Sequence, residues 1–151
     1  MVAESAAIAL YLAEKAGKLI PSDLPGRTRV VQWCVAAVAT VGATLMSLDL
    51  IGIFDPGKAA ARLHTELPKL AGRWLEDLER RLADREWIAC AEFTVADIMM
   101  AGVLRGIRHT DLMAPFPTVK AYYERCMGRP AWQRTLAFYA ERLGTSVEDI
   151  R

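Results

Sequence analysis

Apolar residues recur at intervals of three and four along almost the whole chain, and no stretch alternates as a half-buried strand would. The clearest run is Leu63, Leu67, Leu70, Trp74, Leu78 and Leu82, which predicts a helix over residues 58–82. Pro68 falls inside it, removes one backbone hydrogen bond and should kink it. Upstream, Ile8 and Leu12 lie on one side of a short helix over residues 4–15 that Gly17 stops. A turn-rich link follows, in which Asp23 can cap and Pro25 suits a first turn, so a long helix is expected over residues 25–52. Asp55-Pro56-Gly57 closes that unit. Near the end, Val119, Tyr122 and Tyr123 mark the apolar side of a helix over residues 118–127, stopped by Gly128. A last helix starts at Pro130 and ends near Leu143-Gly144, leaving a loosely packed tail over residues 145–151. The fold class is all-α, a bundle of about five to seven helices.

The bundle is organised around residues 87–104, WIACAEFTVADIMMAGVL. Thr94 and Asp97 have the spacing of a capping box, in which the Thr hydroxyl and the acid each satisfy a free backbone amide of the first turn. Phe93 and Ile98 occupy the two positions of a hydrophobic staple. From Ile98 to Leu104 there is no charge, the pattern of a helix buried on every side. A central helix with a hard start signal is expected here, with Thr94 and Asp97 as its structural cap.

Composition narrows what such a bundle does. At 151 residues, one core can bury about 70% of the unfolded surface. The net charge of +1 and the lack of any block of like charge argue against a nucleic-acid partner or an acidic membrane surface. Between Arg29 and Asp49 there is no charged side chain, long enough to span a bilayer. Gln32, Thr40, Thr44 and Ser47 interrupt that run, so a buried helix is expected and no membrane partner. Cys34, Cys90 and Cys126 are odd in number and not at metal spacing, as for reduced thiols in a cytoplasmic protein. His64 and His109 lack partners at ligand spacing, so no metal is expected, and no signal peptide is apparent. Met99 and Met100 read as core filler; Trp33, Trp74, Trp87 and Trp132 read as packing anchors, Trp33 also as a dimer contact.

Three patterns in order carry a resemblance. They are Glu4-Ser5-Ala6-Ala7-Ile8-Ala9-Leu10-Tyr11-Leu12, then Phe93-Thr94-Val95-Ala96-Asp97-Ile98, then Phe116-Pro117-Thr118-Val119 through Tyr122 and Arg125 to Arg129-Pro130-Ala131-Trp132. Together they resemble the C-terminal helical domain of the cytosolic glutathione transferases, preceded by the last helix of their thioredoxin-like domain. Family members usually carry Gly where this chain has Cys90. The resemblance divides the chain into residues 1–20, a remnant of the thioredoxin-like domain, and residues 21–151, the helical domain. The strands of the first domain and its thiol-activating residue are absent from the sequence.

The resemblance implies conjugation of glutathione, the co-substrate, to small apolar electrophiles by a homodimeric detoxification enzyme in its complete form. Glu4 and Ser5 would hold the γ-glutamyl end of glutathione, Ser5 at its carboxylate and Glu4 at its ammonium. A helix N-terminus suits an anion on physical grounds as well. Ser5 could instead simply cap the helix. Thr44, Leu48 and Ile51 share a face that would line the electrophile pocket, or pack in the core. No catalytic residue is assigned within the chain. The rival reading is a stand-alone helical module for binding or dimerisation, without catalytic activity.

Overall fold

The computed structural model describes residues 2–54 and 61–150. Its helices are α1 (Ser5–Ala16), α2 (Leu24–Val35), α3 (Gly42–Phe54), α4 (Ala61–Leu82), α5 (Val95–Leu104), α6 (Pro117–Met127), α7 (Pro130–Leu143) and α8 (Val147–Ile150), and there is no strand among the described residues. The expected starts and stops that fall on described residues are observed to within about two positions, and the expected close at Asp55-Pro56-Gly57 lies outside the described residues. Gly17 and Gly144 close α1 and α7 with φ of 61° and 64°, the left-handed geometry that glycine adopts without strain. Asp23 caps α2 by accepting the Gly26 amide at 2.8 Å. Prolines stand in the first turns of α2, α6 and α7, where a missing amide costs nothing. The expected start of α4 at residues 58–60 lies outside the described residues.

The long helix is continuous from Leu24 to Phe54, but a π turn over Ala36–Val41 joins α2 to α3. Sequence periodicity gave no sign of it. There the Gly42 amide reaches back to the Ala37 carbonyl, and a Cβ on Gly42 would lie 2.5 Å from that oxygen. Gly42 therefore permits the wide turn, and it also lets Val103 of α5 approach closely. The inner face of this helix, Val30, Cys34, Ala37, Val41 and Leu45, is at most 4% exposed. By length and composition its Leu24–Leu48 part could also cross a membrane. In this fold that apolar face packs on α5 and α4.

α5 is the centre, in contact with α1, α2, α3 and α6. Val95, Ala96, Asp97, Met100, Ala101 and Leu104 are buried. The expectation of burial on every side needs correcting, because Ile98 is 45% exposed and Gly102 is exposed as well. The strip they form opens onto a cleft, so lack of charge here reflects an apolar rim rather than complete enclosure. In α4 the buried line is Ala71, Leu75, Leu78 and Leu82, while Leu63 and Leu70 of the expected stripe are exposed. The tail is also more ordered than expected, since α8 is tied to the bundle by the Arg105 guanidinium, which donates to the Ile150 carbonyl.

Candidate functional site

Two places carry polar groups that the fold has to hold. The first is the start of α5. Asp97 is fully buried, and its carboxylate accepts four hydrogen bonds. Oδ2 takes the Thr94 amide at 2.7 Å and the Thr94 hydroxyl at 3.1 Å, while Oδ1 takes the Ile88 amide at 2.8 Å and the Tyr122 hydroxyl at 3.0 Å. The capping box is present as expected. Its reach is wider than a cap, because one side chain joins the loop before α5 to α5 itself and to α6. Burial first, and the Asp97 charge second, push the Tyr122 hydroxyl well above its usual range. The same causes raise the Cys34 thiol to about 11 and the Cys126 thiol to about 12. These groups stay protonated and inert, so the hub is structural.

The loop over residues 83–94 is held from outside by arginines. Arg81 donates through Nε and Nη2 to the Ile88 carbonyl at 3.0 and 2.9 Å, and Arg125 donates to the Glu86 carbonyl at 2.6 Å. Trp87 fills the space beneath, edge-on to Phe93 at 5.0 Å and to Tyr122 at 6.5 Å. Phe93 also lies under the Arg129 guanidinium, 3.7 Å from the ring centre. Glu79 caps α6 from a distance, accepting the Thr118 and Val119 amides at 2.9 and 2.8 Å. Burial opposes its charge, but these bonds win and hold its carboxyl below the usual range. Tyr122 and Glu79 were missed as polar partners from sequence, because each bonds to a residue 25 or more positions away.

The second place is the start of α1. Glu4 is the N-cap residue, with φ 68° and ψ 125°, a backbone shape that costs a non-glycine residue about 1–3 kcal/mol. Ser5 is the first helical residue, and neither side chain makes a capping bond. Both are exposed. The structure thus leaves a hydroxyl, a carboxylate and the free amides of a first turn at one end of a helix. The neighbouring link also turns sharply at Leu19, φ 63°, whose carbonyl receives the first amide of α5, Val95, at 2.9 Å.

The face at Thr44, Leu48 and Ile51 lies on α3. Thr44 is buried, and its hydroxyl donates to the Thr40 carbonyl at 3.1 Å; Leu48 and Ile51 are half-buried. A separate apolar cleft of about 220 Å³ opens between Leu19, Phe93, Ile98, Gly102, Arg129 and Trp132. Four separated segments build its walls, which is why no local pattern announced it. Trp33 and Trp132 are half-buried under the guanidiniums of Arg81 and Arg105. Trp74 is also half-buried, and its indole nitrogen has no hydrogen-bond partner among the described residues.

The glutathione S-transferase C-terminal domain model matches residues 43–130. The Escherichia coli disulfide-bond oxidoreductase YfcG is 30% identical over 137 residues, 88% of this chain and 62% of that protein. Glutathione S-transferase F11 of Arabidopsis thaliana is 28% identical over 148 residues, 91% of this chain and 69% of the relative. Among solved structures, a Burkholderia graminis glutathione transferase with two glutathione molecules bound per subunit superposes with a TM-score of 0.81 at 33% identity, over 88% of this chain and 58% of its own. A Pseudomonas putida glutathione transferase with one glutathione disulfide per subunit gives 0.78 at 26% identity, over 88% and 60%. The chain therefore spans about three fifths of the length of several relatives it matches. The match over more than half of its residues, with the same helical fold, establishes that this chain belongs to the glutathione S-transferase family through its C-terminal helical domain.

Proposed function

We propose that this chain is the helical part of a glutathione-dependent transferase and that Glu4 and Ser5 hold the γ-glutamyl end of glutathione. The observation that carries the reading is the strained, uncapped start of α1. Strain at a non-glycine residue persists where something other than local stability requires that geometry. It turns the chain so that the Ser5 hydroxyl and the first-turn amides can donate to a carboxylate, while the Glu4 carboxylate meets an ammonium. Family membership supplies the ligand, since related structures contain glutathione.

In this reading residues 1–20 belong to the glutathione-binding domain and residues 21–151 to the helical one. In the complete enzyme the co-substrate's thiol attacks an apolar electrophile held near Thr44, Leu48 and Ile51. Neither Glu4 nor Ser5 reaches the sulfur of a glutathione held by its far end, so activation of the thiol is assigned to another group. The protein works as a cytoplasmic detoxification enzyme and a homodimer. The exposed apolar residues Val31, Val35, Val38, Met46 and Leu50 on the long helix support the pairing. A second reading, exchange of glutathione disulfides, is favoured by the similarity to the E. coli disulfide-bond oxidoreductase YfcG and to the P. putida structure that holds a glutathione disulfide.

Calorimetric titration with glutathione tests the site. Weak binding by this chain is expected, reduced at least fivefold or so in Ser5→Ala, the loss of one hydrogen bond to a charged group. Equal binding by the two proteins would overturn the assignment. Conjugation to a chlorinated nitrobenzene is expected to stay at the uncatalysed background, and robust turnover would show that the chain carries its own thiol activator.

A further inference from the structure

Just past the end of α5, the chain forms with α7 a cleft of about 640 Å³ that the glutathione reading does not use. Its walls are Arg105, Arg108, Trp132, Leu136, Tyr139 and Leu143, and Asp149 and Ile150 of α8 complete the lining. It shares no residue with the start of α1 or with the face at Thr44, Leu48 and Ile51.

Two guanidiniums stand on a wall that is otherwise largely apolar. Arg105 is half-buried over the Trp132 ring, 5.6 Å from its centre, and Arg108 donates to the Arg105 carbonyl at 2.9 Å. Burial first, then repulsion from Arg108, pull Arg105 below its usual range. An anion placed between the two relieves that repulsion. Asp149, the carboxylate in the lining, is turned to its own helix. Its Oδ2 accepts the Thr145 hydroxyl at 2.9 Å, the Ser146 amide at 3.2 Å and the Ser146 hydroxyl at 2.7 Å. Among the described residues, the oxygen that Arg105 reaches is the neutral Ile150 carbonyl. The tail thus fills the cleft in miniature, with an acceptor on the guanidinium and an aliphatic side chain in the lining. Its hold is weak, because a helix of four residues has little stability of its own. A carboxylate is the stronger acceptor and can engage two guanidinium nitrogens at once.

We propose that this cleft binds a small aromatic carboxylate, with its charge on Arg105 and Arg108 and its ring against Trp132 and Tyr139, and that α8 is a strap the ligand displaces from Arg105. The tail and the ligand compete for one guanidinium, so the strap sets how much of the chain is open to bind. Glu4 and Ser5 take no part, and the site stands whether or not the glutathione reading holds.

Titration of the whole chain with 1-naphthoate, and with uncharged 1-naphthalenemethanol as control, tests the site. Saturable binding of naphthoate is expected, with the alcohol about tenfold weaker for want of a bond to a charged group. Arg105→Gln is expected to weaken naphthoate about tenfold and to leave the alcohol unchanged. Asp149→Ala, at an exposed position that uncaps α8, should tighten naphthoate roughly threefold, because less of the chain is held closed. NMR of the unaltered chain reads the strap directly: naphthoate should move the Ile150 amide signal toward its position in Asp149→Ala. No saturable binding, an equal loss of both ligands in Arg105→Gln, an Ile150 signal that stays in place, or weaker binding by Asp149→Ala would overturn the proposal. Ile98→Ser, on the wall of the 220 Å³ apolar cleft, should bind naphthoate as the unaltered chain does; a loss there would put the ligand in that cleft and sink the assignment.

Discussion

The starts of α5 and α1 are built on opposite principles. At α5 every polar group around Asp97 is buried and bonded, and the two residues of the box sit where sequence placed them. At α1 the N-cap residue is strained, the first hydroxyl has no bonded partner among the described residues, and both side chains face solvent. A helix start that satisfies its own amides contributes to stability; one that leaves them open to solvent keeps them able to meet a ligand. The contrast predicts that substitutions at the first start change folding and substitutions at the second change binding.

The sharpest way to break that contrast is Asp97→Ala. Four donors, two from Thr94 and one each from Ile88 and Tyr122, would be stranded in the core, and a loss of about 3–5 kcal/mol is expected in urea unfolding, well beyond an ordinary cap. A loss under about 1 kcal/mol would show that α5 is not the organising helix. Gly42→Ala comes next, at about 1–3 kcal/mol by the same measurement, because its new methyl must displace the Ala37 carbonyl. A neutral result would mean that the π turn converts to plain α-helix without cost.

Tyr122→Phe removes one of the four bonds to Asp97 and should cost about 1–2 kcal/mol. The neighbouring thiols give this region a pH signature. Cys34 and Cys126 ionise near 9.0 when unfolded but only at about 11 and about 12 in the fold. Above pH 9 the unfolded chain therefore holds fewer protons than the native one, and stability falls as pH rises through 11–12. Below pH 9 this contribution is fully present. Melts between pH 8 and pH 12 should show the decline, and Cys126→Ala should flatten it; a midpoint constant over that range would refute the buried-thiol account. The smallest effect belongs to α1, where Ser5→Ala is expected to move the melting midpoint by no more than about 0.5 kcal/mol equivalent. A larger shift would make Ser5 a structural residue and erase the contrast.

Sequence by itself determined the all-α class, the boundaries near Gly17, Asp23, Pro117, Gly128, Pro130 and Gly144, and the Thr94–Asp97 box. These are local matters, fixed by backbone geometry within one turn and legible in a few neighbouring residues. Tertiary structure alone decided the rest. The four-bond role of Asp97 needed Ile88 and Tyr122, nine and 25 positions away, brought to the same point. The exposed strip at Ile98 and Gly102 looked like core because composition records that residues are apolar and not what covers them. The π turn at Ala36–Val41 lies where the long helix packs on α5 and Gly42 lets Val103 come close, and no period along the chain encodes that contact.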